Sequence, residues 1–133
     1  MQSYFIAISN IILMQDNKFQ YKEDVERYRV FTVALIYDKT ADKLVSWDAA
    51  AAEECYQKEI DLLTPLAPVS FGLAETLRKL ADIQEKQGKK ELADSTRRRH
   101  DEMTQKLSNM EAEVRRENPE LGGVREESIQ AIV

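Results

Sequence analysis

The chain has 133 residues, of which 43% are hydrophobic and 32% charged, and its net charge is −5. This length suits one ordinary domain, and four Gly and three Pro are few for a turn-rich all-β fold. The acidic balance argues against phosphate-driven nucleic-acid binding, so we expect no nucleic-acid partner. It also weakens attraction to anionic lipid.

The first stretch of the chain and its cysteine content predict the compartment. MQSYFIAISNIILM has no basic residue before its apolar run, and Ser and Asn interrupt it, so it resembles neither a signal peptide nor a membrane span. Cys55 is the single cysteine, which rules out an intrachain disulfide and fits a reducing compartment. We therefore expect a soluble, cytoplasmic protein.

The first proline-free tract predicts three helices, because proline is excluded from helix interiors. Their ranges are 3–15, 22–41 and 49–63. The first is apolar on nearly every side, which indicates burial or a partner. The second carries an apolar stripe at helical spacing, formed by Val25, Tyr28, Phe31, Leu35 and Ile36. Ser46 or Asp48 can cap the third.

The second proline-free tract predicts two more helices. Ser70 is a suitable N-cap for an amphipathic helix over 71–87, and Gly88 suits the left-handed position that ends a helix. A long helix with a thin apolar stripe is predicted over 89–117. We expect residues 1–118 to form a single helical domain, and 119–133, with Pro and Gly-Gly, to form a flexible tail.

The predicted fold is therefore all-α, with four or five helices. Antiparallel helical hairpins, either repeat-like or bundle-like, are followed by a projecting, long C-terminal helix.

The hairpin of residues 73–94 resembles a tetratricopeptide (TPR) repeat. Leu77, the Leu80–Ala81 pair, Gly88 and Ala93 stand at that family's spacings, whereas Gln84 replaces a usual aromatic residue. The resemblance implies a peptide-binding groove lined by first-helix residues, here Glu75, Arg78, Asp82, Glu85 and Lys86. Asp82 replaces the asparagine of a carboxylate clamp, so binding of a C-terminal carboxylate is not expected. The alternative is that these five residues form a solvated helix face.

A second resemblance is to curved helical dimers of the BAR type. Those proteins have long helices with stretches similar to GLAETLRKLADIQEK, and 89–117 has a suitable length. The resemblance implies a membrane surface as the partner, against which the net charge of −5 counts.

The long C-terminal helix carries two further candidate surfaces. Arg97, Arg98 and Arg99 form a basic run that can dock an acidic partner or a phosphate, although three consecutive helical residues spread over roughly 200° and can equally be a solvated face. A short seam with 4-3-4 spacing follows, which packs on the same chain or pairs with a second copy as a homodimer. Its residues are Met103, Leu107, Met110 and Val114.

No residue pattern points to catalysis. His100 is the single histidine, and we expect Asp101 and Glu102 to lie away from its face of the helix. Cys55 lies on an apolar stripe, among acidic charges that disfavour a thiolate. We find no metal-ligand spacing and no phosphate-binding loop, so we expect no enzyme activity, no cofactor and no metal. The predicted function is a non-catalytic scaffold or adaptor that binds another protein or peptide, and the alternative is a membrane-surface or curvature-binding helical dimer.

Overall fold

The computed structural model describes residues 18–121 of the chain, and their architecture is all-α, as predicted. The four helices are α1 (Lys18–Leu44), α2 (Ala49–Leu63), α3 (Phe71–Lys86) and α4 (Lys90–Glu117), and a 3₁₀ turn at Pro119–Leu121 follows. The predicted helix 3–15 and residues 122–133 of the predicted tail lie outside the described residues. Within residues 18–121 there is no strand.

The helix ends follow local capping chemistry. The Asp48 carboxylate accepts a hydrogen bond from the Ala51 N–H at 3.1 Å, and the Ser70 hydroxyl accepts one from the Leu73 N–H at 3.3 Å. Each side chain thereby satisfies an amide that has no partner within its own helix. Gly88 has φ +79°, which only glycine adopts without strain, and this allows the tight turn from α3 into α4.

The chain divides between Pro68 and Val69 into two compact units. α1 and α2 form an antiparallel hairpin in the first unit, and α3 and α4 form another in the second. Antiparallel hairpins were the predicted arrangement, and a long C-terminal helix was expected where α4 lies. The prediction of a single domain over 1–118 stays a prediction.

Small residues and one tyrosine pack between the two helices of the first hairpin. Ala34 and Ala41 of α1 and Ala52 and Tyr56 of α2 are all buried, and short side chains let two helix backbones approach closely. The Tyr56 hydroxyl donates a hydrogen bond to the Asp42 carboxylate at 2.7 Å, which links the two helices.

The second hairpin has an aliphatic core that includes a polar contact between its two helices. Its buried apolar residues are Leu73, Ala74, Leu77, Leu80, Ala81, Ile83, Ala93 and Leu107. The Thr96 hydroxyl donates to the Gln84 amide oxygen at 2.7 Å, and both residues are at least 96% buried. Gln84, which departs from the repeat pattern, is therefore part of the core and pairs with the facing helix.

No helix within residues 18–121 has both the length and the apolar character needed to cross a membrane.

Candidate interaction surfaces

The charged face of α3 is held together by ion pairs within its own hairpin. The Arg78 guanidinium pairs with Glu75 one turn before it and with Asp82 one turn after it, the latter at 3.2 Å. The hydrogen bonds from Arg78 hold the pKa of the Glu75 carboxyl below its ordinary value. Three of the five predicted groove residues therefore pair with each other along one face of α3.

Arg97 joins this face from the neighbouring helix. Its guanidinium lies 2.5 Å from a Glu85 carboxylate oxygen and 3.3 Å from one of Asp82. The hydrogen bond to Glu85 raises the pKa of Arg97 above its ordinary value, so the residue stays charged. Arg97 thus links α4 to α3, and the two predicted binding sets meet at this residue.

The remaining cations of the predicted surfaces are exposed. Lys86, Arg98 and Arg99 lie on the outside of the second hairpin. Within the described part of the chain, neither Arg98 nor Arg99 has a carboxylate within 4.0 Å. The three consecutive arginines therefore occupy different environments, since Arg97 is bound to α3 and the other two face solvent.

The predicted self-association seam is divided between core and surface. Leu107 is 93% buried and Met103 is half-buried, whereas Met110 and Val114 are exposed. Only the last part of this seam is open to a second molecule.

The two candidate reactive residues occupy unremarkable positions. His100 Nδ1 lies 3.0 Å from an Asp101 carboxylate oxygen, so the expectation that Asp101 lies away from His100 is wrong, because a short side chain can bend back to its neighbour. Cys55 is a half-buried thiol on α2. Among the described residues, no three His, Cys, Asp or Glu side chains are grouped in a way that would hold a metal ion.

The sequence analysis did not predict the exposed apolar surface that the structure shows on α1. Tyr28, Phe31 and Leu35 are 44%, 44% and 56% exposed and follow each other at spacings of three and four residues. These spacings place them within about 60° around the helix, so they form one strip, called here the outer stripe. Ile36 and Val33 are also exposed apolar residues, but they lie about 100° and about 165° from the stripe around the helix.

A sequence signal for this surface exists in the small residues of α1. Ala34 and Ala41 are spaced by seven residues and are almost fully buried, so they mark the side of α1 that packs. The outer stripe lies about 100° away from them around the helix. Reading the alanines as the packing side would have placed the large apolar residues outside.

The comparisons with known proteins add no family to this description. No family model, no curated protein and no solved structure matches the chain.

Proposed function

We propose that this protein is a non-catalytic helical scaffold or adaptor that binds another protein chain through α1. The observation that carries this proposal is the outer stripe, in which three large apolar side chains on one helix face are left open to solvent. Removing apolar surface from water lowers the free energy of the system. Contiguous exposed apolar patches therefore commonly mark protein interaction sites.

Aromatic residues make this patch suitable for binding. Tyr28 and Phe31 are rigid and have large contact areas, so they lose little conformational entropy when a partner covers them. Leu35 extends the strip by one further turn. An amphipathic helix or a complementary helix face can cover such a strip by packing residues at the same spacing.

The predicted charged surface has a supporting role in this proposal. Glu75, Arg78, Asp82, Glu85 and Arg97 already satisfy one another, so a partner would have to compete with these ion pairs. Lys86, Arg98 and Arg99 are better placed to contact an acidic partner. The alternative function at a membrane surface stays a prediction. Replacing Arg98 and Arg99 would test it.

The proposal predicts site-specific contact at the outer stripe. A photoactivatable benzophenone amino acid is placed at position 35 of the full chain in the cells that produce it. The control carries the same group at Thr40, which is exposed on α1 about 150° from the stripe. We expect a discrete cross-linked protein adduct from position 35 and none from position 40.

A second variant tests whether the apolar surface is responsible. Phe31→Glu in the position-35 chain should abolish the adduct, because covering a carboxylate without a partner is costly. Circular dichroism should show unchanged helix content, since Phe31 is largely solvent-exposed in the wild type. Equal cross-linking from positions 35 and 40, or no adduct from either, would contradict the proposed function.

A further inference from the structure

We propose that the partner of the outer stripe is a second copy of this chain, with the two α1 helices running antiparallel. This inference rests on the proposed function, because it names the occupant of the same surface. It is carried by the order of apolar and charged residues along the exposed side of α1.

The three residues of the outer stripe are placed almost symmetrically about one point along α1. Tyr28 and Leu35 are equally distant from the midpoint between Phe31 and Thr32. A two-fold axis perpendicular to the helix at this point brings Tyr28 of one copy against Leu35 of the other. The same axis brings the two Phe31 side chains together near the centre, which is the self-complementary contact that a symmetric dimer requires.

The charges beyond the stripe select the antiparallel direction. Asp24 and Lys39 lie on the same side of α1 as the stripe, seven to eight residues on either side of the midpoint. In an antiparallel pair, Asp24 of each copy faces Lys39 of the other. In a parallel, in-register pair, Asp24 faces Asp24 and Lys39 faces Lys39, and such like-charge contacts are unfavourable.

The geometry of the first hairpin leaves this surface accessible. The buried Ala34 and Ala41 mark the side of α1 that packs, about 100° from the stripe. Asp42, which accepts the hydrogen bond from Tyr56, lies in line with the stripe but about two turns beyond Leu35, and the stripe residues themselves are exposed. Asp24 is half-buried and Lys39 is exposed. No opening of the hairpin is therefore needed before a second α1 can pack against the stripe.

The number of contacts implies a dissociable dimer. Three large apolar residues from each copy cover about 10 Å of helix, which is less than a stable obligate interface requires. We therefore expect monomer and dimer to exchange, with the dimer favoured as protein concentration rises.

The test is sedimentation equilibrium of the purified full chain over a concentration series in low-salt buffer. We expect the wild type to associate to twice its 15.3 kDa chain mass. Asp24→Lys alone and Lys39→Asp alone should each weaken dimerisation by about tenfold, because each converts two attractive contacts into repulsive ones. The double variant should return to within about threefold of the wild type, and salt should reduce all these differences.

Two controls separate the interface from helix stability. Glu26→Lys makes the same charge change on the opposite side of α1 and should leave dimerisation unchanged. Circular dichroism should show equal helix content for all variants. A monomer at every concentration, or single charge reversals without effect, overturns the inference. Failure of the double variant to recover also overturns it, since only antiparallel pairing predicts recovery.

The two proposals fail in different ways. An adduct from position 35 that contains a different protein, together with a monomeric purified chain, retains the proposed function and rejects the second copy. Absence of the adduct together with a monomeric chain rejects both.

Discussion

The Tyr56 side chain is the buried titratable group that links the helices of the first hairpin. Burial, assisted by the hydrogen bond to Asp42, raises the pKa of its phenol well above the ordinary value near 10. Above about pH 10, the Tyr56 hydroxyl loses its proton in the unfolded chain but keeps it in the folded protein. The resulting stabilisation is constant below about pH 10 and is lost as the pH rises above that value.

This difference predicts the alkaline behaviour of the protein. We expect the free energy of unfolding, measured by urea denaturation, to fall from about pH 10 upward, and Tyr56→Phe should make this fall less steep. At pH 7 the same variant should be less stable by about 1 kcal/mol, because one interhelical hydrogen bond is lost while the exposed Asp42 regains water. Tyr28→Phe, in the exposed stripe, is the control. An unchanged alkaline slope in Tyr56→Phe would contradict the assignment.

The buried Gln84–Thr96 contact makes a second prediction for single residues. Thr96→Val removes the hydroxyl that donates to the buried Gln84 amide oxygen. Because that oxygen lies in an apolar core, we expect the free energy of unfolding to fall by about 1–3 kcal/mol. The double variant Gln84→Leu with Thr96→Val should lie closer to the wild type, because both polar groups are gone. Thr104→Val, exposed on the same helix, controls for helix propensity. Additive losses in the double variant would show that the contact is unimportant.

At the scale of the helices, the ends were predictable and the orientation of α1 was not. Asp48, Ser70 and Gly88 act through local chemistry that the sequence displays, so α2 matches its predicted range and α3 and α4 differ by one residue. α1 runs three to four residues beyond each end of its predicted range, since no proline or glycine stops it. Its orientation depends on which of two apolar sides meets α2, and helical periodicity alone does not decide that.

The interhelical ion pairs of Arg97 also belong to the scale of helices. Spacing along one helix indicates only pairs within that helix. Contact between α4 and α3 requires the hairpin geometry, so the partners Asp82 and Glu85 could not be assigned from the sequence. We expect Arg97→Gln to lower the melting temperature of the protein in low salt, because α4 loses its ionic link to α3. The difference should shrink in about 1 M salt, where exposed charges are screened.

The matched control for this prediction is Arg98→Gln. Arg98 is adjacent, exposed and without an ion pair among the described residues, so its replacement should leave the melting temperature unchanged at both salt concentrations. Equal effects of the two substitutions would mean that the ion pairs of Arg97 with α3 do not contribute to stability.

At the scale of the whole molecule, the fold class predicted from the sequence is confirmed, whereas the predicted interaction surfaces stay predictions. Composition and helical periodicity are properties of the chain itself, and they are enough to predict an all-α protein built from hairpins. Exposure is a property of the packed structure. The Met103–Val114 seam, of which Leu107 turned out to be buried, and the outer stripe of α1 therefore required coordinates.

The short turns of both hairpins have a consequence for the speed of folding. Four residues separate α1 from α2, and three separate α3 from α4. The entropy lost when such a turn closes is small, and each helix meets a partner that is its immediate neighbour in the chain. Each hairpin should therefore find its native helix pairing after sampling few other conformations. We expect its folding time to lie on the microsecond to millisecond scale typical of proteins with local contacts.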